Sequence, residues 1–448
     1  MKRELRIMAA ATAAAAMLAA LPALPLAAAL TGDVDGDGAV GVTDVIALNK
    51  YLLGVGTLTA AENADVYADG TVDVLDLGML KRLVTAETAA PVYIHMNDTG
   101  IVIEGDDASV VKADGLTATI TASGIYYIDG TVTDGQIIVS TAAADIEDVE
   151  LVLDGVTFTN STRQAIYTTD TNGSDKTKLT LLGDNVITDV STTAYTTGAA
   201  AVYTNNKLTV ARSSTGTLTI SSYMNDGIHS EKKLSLNGGT ITIDTDTAPA
   251  DGSVIPSADG ITSDKAIEIE GGVLDLDTSG DGIKTDSTVT VTDGTVSIKA
   301  GNDALQAGTS IAVSGGYVTA SGDRGLRLTG DAAGNAGSLA ITGGTLIATA
   351  TDYQFDGNEA VDTSLTTQAA MAFDLAAEWK KASLINIGGT DYASRKKYDY
   401  VLISSPEIAA DGSYAVTIGG AAASHEGGDV FQNTGAVTYY KTVTAAAQ

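Results

Sequence analysis

The sequence predicts a mainly β protein, in which a right-handed parallel β-helix follows a small α-helical unit with EF-hand-like loops and precedes a β-rich C-terminal cap. The chain has 49 glycines but only six prolines and four phenylalanines, a composition typical of strands joined by tight turns. A D-G-I motif recurs at Asp226, Asp259 and Asp281, each time before alternating apolar and polar residues. Two Asp- and Gly-rich loops near the start of the chain predict the helical unit.

Residues 1–29 have the pattern of a secretory signal peptide. A positively charged start precedes an Ala- and Leu-rich run, and residues 27–29 give an A-x-A pattern. The alternative is a membrane anchor, but Pro22 and Pro25 interrupt the run, and its residues are small rather than bulky. We therefore expect a secreted, extracellular protein without membrane insertion.

The mature chain is strongly acidic. Removing residues 1–29 takes three basic residues and one acidic residue from the 25 and 56 of the full chain, which leaves 22 and 55 and a net charge of −33. Such a chain repels nucleic acid and attracts divalent cations, so we expect no nucleic-acid partner. Because the chain has no cysteines, its stability must come from a large core, from metals or from both.

Two segments fit the twelve-residue loop that wraps oxygen ligands around Ca²⁺, "DVDGDGAVGVTD" at 33–44 and "DVYADGTVDVLD" at 65–76. The predicted ligands of the first loop are Asp33, Asp35, Asp37, the Ala39 carbonyl and Asp44. Those of the second are Asp65, Asp69, the Thr71 carbonyl, Asp73 and Asp76. Tyr67 occupies a ligand position, so we expect the second site to be weaker. One such loop can be accidental, but two at this separation favour calcium.

Each loop leads into a helical pattern, "VIALNKYLLG" ending at Gly54 and "LGMLKRLV" with Leu77, Leu80, Leu83 and Val84 on one face. This tandem of loop-helix units at residues 31–86 resembles a type I dockerin. The resemblance implies docking to the cohesin of a scaffoldin, as in cellulosome-like assemblies. It also implies that the tenth and eleventh loop positions face the cohesin, and these are Val42, Thr43, Val74 and Leu75.

Residues 92–351, after a linker at 87–91, contain the repeat that predicts the β-helix. The motif aligns at Gln164, Ala200, Asp226, Asp259, Asp281, Asp303 and Arg324, and the steps from Asp259 to Asp281 and on to Asp303 are 22 residues each. This period is too short for a propeller blade and suits one turn of a wide solenoid. We expect the apolar residues of the motif to stack inside as one ladder: Ile228, Ile261, Ile283, Leu305 and Leu326.

Equivalent residues of successive turns should form columns about 4.8 Å apart. The first, here named the aspartate column, consists of Asp226, Asp259, Asp281 and Asp303. Because carboxylates at this spacing repel, we expect Ca²⁺ between them, with Arg324 closing the column by its own charge. The alternative is that Asp-Gly only forms turns, but an arginine in register at the end favours the metal.

The second column, here named the neighbour column, lies three residues further along each motif. It consists of Tyr167, Tyr203, His229, Thr262, Lys284, Gln306 and Arg327. We expect the two tyrosines to stack on sugar rings. His229, Lys284, Gln306 and Arg327 would then supply hydrogen bonds and charge to hydroxyl or carboxylate groups.

The segments "IYYIDGTVTDGQIIV", "LVLDGVTFTNS", "MNDGIHSEKKLSLNGGTITI" and "YDYVLISSPEI" resemble a family of secreted, calcium-binding, carbohydrate-binding proteins with the right-handed β-helix of pectate lyases. The resemblance covers about residues 92–420. It implies binding of plant cell-wall polysaccharide, cellulose or acidic pectin. Arg324 in place of Asp and an insertion after Asp244 depart from the family pattern and leave its metal count open.

Residues 352–448 lose the motif, and we expect them to form a β-rich cap over the open end of the β-helix. The segment "AMAFDLAAEWKKA" predicts a short helix, and "YDYVLISS" and "YAVTIGG" predict strands. Trp379 fits a role in the core of the cap better than a role as a sugar platform.

Three functions remain open from the sequence. The favoured one is a calcium-dependent polysaccharide binder without catalytic residues. The first alternative is a calcium-dependent pectate lyase, with Lys284 or Arg327 as base. Lys284 lies beside carboxylates that should hold its proton firmly, which argues against it as a base. The second alternative is a structural cell-surface solenoid without a ligand.

Overall fold

The computed structural model divides the chain into two units, Met1–Ala89 and Ala90–Gln448. The described residues are 31–443 without 67–69, 86–90, 106, 143–144, 146, 170–175, 223, 247–255, 332, 352–360, 380–383, 410–413, 419–420, 426–429 and 432–440. The predicted signal peptide at 1–29, and the predicted linker at 87–91 except Pro91, lie outside them. Within the described ranges, no helix combines the length and apolar character that a membrane crossing requires.

Within its described residues, the first unit contains two helices, α1 (Val42–Leu52) and α2 (Val74–Thr85), and a 3-10 turn at Ala61–Asn63. Gly54 follows α1 with a φ of 72°, so the predicted glycine stop is confirmed. A small core joins the helices through the buried residues Val34, Leu48, Ala64, Leu77, Leu80 and Val84. The side chain of Leu83, predicted for the same face, lies outside the described set.

The second unit is built from strands. They are β1 (Val92–Asn97), β2 (Gly100–Glu104), β3 (Val111–Asp114), β4 (Thr117–Ile120), β5 (Gly124–Thr133), β6 (Gln136–Val139), β7 (Val149–Asn160), β8 (Ile166–Thr168), β9 (Lys176–Leu182), β10 (Asp184–Asp189), β11 (Ala200–Thr204), β12 (Lys207–Val210), β13 (Thr217–Ser222), β14 (Asp226–Ser230), β15 (Leu234–Leu236), β16 (Thr240–Asp244), β17 (Ile261–Ser263), β18 (Ile267–Thr278), β19 (Ile283–Thr285), β20 (Thr288–Ala300), β21 (Asp303–Ala307), β22 (Ser310–Val313), β23 (Tyr317–Ser321), β24 (Arg324–Leu328), β25 (Ser338–Ile341), β26 (Thr345–Ala350), β27 (Ala370–Trp379), β28 (Leu384–Ile387), β29 (Thr390–Ala393), β30 (Tyr398–Ser404), β31 (Tyr414–Ile418), β32 (Ala421–His425), β33 (Val430–Phe431) and β34 (Lys441–Val443). A second 3-10 turn lies at Ala108–Val110.

Successive repeats pair in parallel and form three ladders. The first is a ten-stranded sheet in the order β3-β4-β6-β8-β11-β14-β17-β19-β21-β24, parallel except for the β3–β4 hairpin. The second runs β9-β12-β15-β18-β20-β22-β25. The third runs β7-β10-β13-β16-β18-β20-β23-β26. The long strands β7, β18 and β20 pair with strands of both of the last two ladders, because each contains a glycine with positive φ, Gly155, Gly272 or Gly294.

The apolar residues of the motif fill the interior, as predicted. Ile228, Ile261, Ile283, Leu305 and Leu326 pair in register along the ten-stranded sheet, and each is 0% exposed. Full burial of one such side chain contributes about 1.5–3 kcal/mol relative to exposure. Alternation with period two therefore fixes which side of each strand faces the core.

The glycine of the D-G-I motif is required by a close approach between neighbouring repeats. A Cβ on Gly260 would lie 2.6 Å from the carbonyl oxygen of Gly282, and one on Gly282 would lie 2.6 Å from that of Ala304. Gly227 lies in the same relation to Gly260, at 2.7 Å. Because real Cβ atoms do not approach backbone oxygens so closely, a larger residue would push the repeats apart.

The predicted helix at the start of the C-terminal region is wrong: Ala370–Trp379 is strand β27. Ala370 and Ala372 pack into the main core, whereas Met371 and Phe373 pack into a second core. A strand that is buried on both faces has a continuous apolar sequence. The periodicity of such a sequence does not distinguish the strand from a buried helix. β30 pairs with both β26 and β27 in antiparallel register, so the edge of the last parallel strand is covered. The side chain of Trp379 lies outside the described set.

Candidate functional site

The first predicted calcium loop brings its acidic side chains together. Carboxylate oxygens of Asp33, Asp35 and Asp37 lie within 4.8 Å of one another. The Asp33 carboxylate also accepts the backbone N–H groups of Gly36 at 2.8 Å and Gly38 at 3.0 Å, which curl the loop around it. This donor set of close carboxylate oxygens fits a hard divalent cation.

Asp44 closes the same loop from the first turn of α1. It is 0% exposed, and its carboxylate accepts the N–H groups of Val34 at 2.8 Å and Gly41 at 2.7 Å. The loop is therefore held at both ends by its predicted ligands. A carboxylate offers about four lone-pair sites, so these bonds leave capacity for a cation.

The second loop repeats part of this pattern. Asp65 accepts the N–H of Gly70 at 2.9 Å, and the buried Asp76 accepts the N–H of Asp73 at 2.7 Å. Tyr67 and the predicted ligand Asp69 lie outside the described residues, so the ligand set of this loop stays a prediction.

The residues predicted to face a cohesin lie in the first turns of the two helices and are exposed. Val42 is 63% exposed, Val74 71% and Leu75 50%, and Thr43 is exposed as well. Large apolar side chains with this exposure in the smaller unit are available to a protein partner.

The predicted aspartate column exists, and its carboxylates link one repeat to the next. Oδ1 of Asp226 accepts the N–H of Asp259 at 2.9 Å, Oδ1 of Asp259 accepts that of Asp281 at 2.7 Å, and Oδ1 of Asp281 accepts that of Asp303 at 3.0 Å. Each aspartate thus satisfies a backbone donor of the next repeat. Neither the turn interpretation nor the metal interpretation predicted this role.

A lysine of the neighbour column supplies positive charge to the middle of the aspartate column. Nζ of Lys284 lies 3.1 Å from Oδ2 of Asp259 and 2.9 Å from Oδ2 of Asp281. The side chain of Asp281 is only 2% exposed. Repulsion between these two carboxylates is therefore relieved by an ammonium group that lies between them.

Two arginines close the column at Asp303, whose side chain is 0% exposed. Nε of Arg324 lies 2.7 Å from Oδ1, and Nη1 of Arg327 lies 3.0 Å from Oδ2. The prediction that Arg324 closes the column is confirmed. Over the described ranges, Asp33, Asp35 and Asp37 form the only cluster of three or more potential metal-ligating side chains, so the calcium predicted along the aspartate column stays a prediction.

Burial and these charges shift the pKa values of the column. Burial and the charge of Asp259 raise the pKa of Asp226 from 3.8 to about 7. Burial and the charge of Asp281 also raise the pKa of Asp259, although Lys284 opposes this shift. Burial alone lowers the pKa of Lys284, but its bonds to Asp281 and the charge of Asp259 outweigh burial and raise it. Lys284 therefore keeps its proton, which argues against it as a base.

The three rings of the neighbour column stack on one another. The ring centroids of Tyr167 and Tyr203 are 5.3 Å apart, and those of Tyr203 and His229 are 5.4 Å apart with planes inclined by 5°. Tyr203 is only 6% exposed, and its hydroxyl donates to Glu231. Because both faces of Tyr203 are covered, the prediction that it stacks on a sugar ring does not fit the structure.

Thr262 connects the two columns. Its hydroxyl lies 2.8 Å from Nδ1 of His229 and 3.2 Å from Oδ2 of Asp226. Burial lowers the pKa of His229, although the charges of Asp264 and Glu231 oppose the shift. The sequence indicated Thr262 only as a member of the neighbour column. A hydroxyl that bridges His229 and Asp226 produces no periodic pattern in the sequence.

The last members of the neighbour column are held in place by their own neighbours. Gln306 is 7% exposed, and its side-chain oxygen lies 3.5 Å from Nη1 of Arg327. The aligned motif begins at Gln164 and so did not include β6, where Ile138 pairs with Tyr167. The short apolar run in "GQIIV" was the only signal for this strand.

Comparison with known proteins gives two family matches. The model of the family described as "Carbohydrate-binding domain-containing protein" matches residues 114–321 and 254–380, which together span more than half of the chain. The model of the dockerin type I domain matches residues 31–85.

The chain is also similar to one curated protein and one solved structure. A carbohydrate-binding domain-containing protein of Acetivibrio thermocellus is 33% identical over 155 residues, which cover 32% of this chain and 52% of the relative. The chain thus spans about half the length of that relative. The structure of the polysaccharide lyase-like protein from C. thermocellum, a gadolinium derivative, is 25% identical with a TM-score of 0.45 and covers 57% of this chain and 97% of its own.

Proposed function

The chain belongs to the family of carbohydrate-binding domain-containing proteins and contains a type I dockerin domain, and from this premise we propose that it is a secreted, cellulosome-type polysaccharide binder. Its dockerin docks to a scaffoldin cohesin, and its second unit binds plant cell-wall polysaccharide, cellulose or acidic pectin-like sugars. The observation that carries this proposal is the family match, because it spans the repeats that build both side-chain columns.

The docking part of the proposal rests on the first unit. Ca²⁺ would be held by the ligand sets predicted for the two loops, and the close carboxylates of Asp33, Asp35 and Asp37 support this for the first loop. Calcium would fix the start of each helix, where the cohesin-facing residues Val42 and Val74 are exposed. Dockerin proteins are typically extracellular, in agreement with the predicted signal peptide.

The binding part rests on the ten-stranded sheet. We propose that the three parallel ladders wind as a right-handed β-helix and that the neighbour column presents a polymer-binding face. His229, Lys284 and Arg327 would donate to sugar oxygens along this face, with the buried Gln306 and Tyr203 as internal supports rather than contacts. Their spacing of one strand per repeat suits an extended chain of sugars.

We also propose that Ca²⁺ binds along the aspartate column. Lys284, Arg324 and Arg327 already face three of the four carboxylates. A cation would therefore find its best site near Asp226, which lies at the end of the column away from the arginines.

A calcium-dependent pectate lyase and a ligand-free structural solenoid remain the alternatives. One experiment separates all three: the full chain is incubated with polygalacturonate and with cellulose, and both retention and the ultraviolet absorbance of unsaturated product are followed. Retention without product supports the binder. Unsaturated product would overturn it in favour of a lyase, and neither signal would leave a structural role.

A further inference from the structure

A cavity of about 490 Å³ lies where the ring stack of the neighbour column ends. Its walls include Gln136 and Ile138 of β6, Arg163 and Tyr167 around the start of β8, and the loop at 193–197. A cavity of this size admits a few sugar rings. None of the residues predicted from the sequence to bind carbohydrate lines it except Tyr167.

Tyr167 is half-buried and lines this cavity. One face stacks on Tyr203 at 5.3 Å. On the other side, its partner in the strand register is Ile138, which is smaller than an aromatic ring and also lines the cavity. A sugar ring in the cavity would pack against the Tyr167 ring and the Ile138 side chain, since the apolar face of a sugar packs on apolar and aromatic groups.

Arg163 gives the cavity a positive charge in an otherwise acidic chain. Its Nη1 donates to Oγ1 of Thr117 at 3.2 Å, and its Nε donates to Oγ1 of Thr162 at 3.5 Å. No carboxylate in the described part of the chain forms an ion pair with it, although acidic residues outnumber basic ones by 56 to 25. A guanidinium has five N–H donors in a planar fork, so a bidentate site for a carboxylate remains available.

The wall of the cavity is held in place by hydrogen bonds. Nε2 of Gln164 donates to the carbonyl oxygens of Thr197 at 2.5 Å and Gly198 at 2.8 Å. The hydroxyl oxygen of Tyr195 lies 2.9 Å from the carbonyl oxygen of Arg163 and 2.9 Å from Oδ1 of the buried Asp189. The loop and the arginine are thus fixed relative to each other before any ligand enters, which reduces the entropy lost on binding.

We propose that this cavity binds one hexuronate residue of an acidic polysaccharide, with the sugar ring against Tyr167 and Ile138 and the carboxylate on Arg163. The inference rests on the proposed polysaccharide-binding function and names the acidic sugar that this site selects. The adjacent neighbour column would then hold the next residues of the same polymer.

The test measures binding of trigalacturonate and of its neutral methyl ester to the full chain by titration calorimetry. Arg163→Gln should weaken binding of trigalacturonate about tenfold to a hundredfold and leave the ester nearly unaffected, since a hydrogen bond to a charged group is lost. Tyr167→Leu should weaken both ligands. The matched controls are Arg212→Gln and Tyr317→Leu, which change an exposed arginine paired with Glu270 and a tyrosine that is 39% exposed. Both should bind like the wild type, and thermal unfolding verifies that every variant folds.

The outcomes separate the two levels of the proposal. If Arg163→Gln binds trigalacturonate like the wild type while the polymer is still retained, the cavity assignment is overturned and the proposed function stands. Equal loss for acid and ester overturns the uronate selectivity. Retention of polymer without binding of either oligomer also overturns the cavity assignment. If the wild type retains no polysaccharide at all, the proposed function fails and this inference with it.

Discussion

The ammonium group of Lys284 lies 2.9 Å from Oδ2 of Asp281, a carboxylate that is only 2% exposed. The same ammonium lies 3.1 Å from Asp259, one repeat earlier. A buried carboxylate without a partner is strongly disfavoured, so Lys284 provides the positive charge that the sequence led us to expect from a metal ion. The stability of the repeats should therefore depend on this lysine.

Replacing Lys284 with Met should destabilise the protein by roughly 1–3 kcal/mol near neutral pH, less than for a fully buried pair because Lys284 is 41% exposed. Two carboxylates would lose their cation, and the pKa of Asp259, already raised, would rise further. Protonation removes the unpaired charge, so the loss should shrink as the pH falls. Urea unfolding at pH values on either side of neutrality measures both effects.

Lys233→Met is the control for this variant. Lys233 pairs with Glu268 at 2.5 Å, but the two side chains are 44% and 30% exposed. An exposed pair contributes at most about 1 kcal/mol, so the control should unfold almost like the wild type. A Lys284 variant that behaves like this control would show that another group compensates the aspartates.

Asp226 should make stability fall as the pH rises. Its folded-state pKa of about 7 lies above its ordinary value of 3.8, so the folded protein holds a proton that the unfolded chain releases in this range. The stability that Asp226 contributes is therefore largest at pH values below its ordinary pKa of 3.8. It is lost as the pH rises through the folded-state pKa of about 7. Asp226→Asn keeps the acceptor for the N–H of Asp259 and should remove this part of the pH dependence.

Urea unfolding of the wild type and of Asp226→Asn across this range checks the prediction. The titratable groups around the site are Asp259, Lys284 and His229. Thr262→Val keeps the carboxyl group but removes a hydrogen bond that lowers the pKa of Asp226, so this variant should retain the pH dependence that Asp226→Asn loses. Identical pH profiles for Asp226→Asn and wild type would contradict the assigned pKa.

Calcium should be required for docking. A chelator, or the double substitution Asp33→Ala/Asp65→Ala, should abolish cohesin binding, because each loop loses a ligand that also accepts backbone N–H groups. Titration calorimetry with a cohesin measures the effect. Glu62→Ala removes an exposed acidic residue of the same unit outside the loops and should leave affinity unchanged. Binding that persists in chelator would rule out the calcium assignment.

Arg395 should fasten the C-terminal strands to the parallel ladders. Its Nη1 donates to the carbonyl oxygens of Leu276 at 3.2 Å and Ser297 at 3.0 Å, and it also pairs with Asp275. Arg395→Ala should lower the free energy of unfolding by about 1–3 kcal/mol, since these acceptors lose a charged donor.

The control is Arg212→Ala, in which an arginine side chain that is 69% exposed loses a surface pair. Urea unfolding and limited proteolysis of the two variants should separate them, with faster cleavage in Arg395→Ala. Equal behaviour of the two would mean that other contacts, such as the pairing of β30 with β26 and the bond of Lys396 to Ala300, secure this region.

The register of the repeats was predictable because local sequence patterns determine it. Alternating apolar residues place Ile261 and Ile283 inside, and a fixed period places Asp259 and Asp281 in one column. The calcium loop at 33–44 was predictable for the same reason, since all its predicted ligands lie within one twelve-residue segment. The strand β27 was not, because Ala370–Phe373 is buried on both faces and the two cores that it joins are visible only in the fold.

The sequence by itself determined the mainly β architecture, the interior ladder, the two columns and the acidic character of the chain. Tertiary structure decided what each column does: Lys284 reaches back to Asp259, Tyr203 is covered on both faces, and Arg163 borders a cavity. The physical reason is that periodicity fixes the side of a strand on which a residue lies. Burial, pairing and open space depend on side chains from repeats that are more than twenty residues apart in the chain.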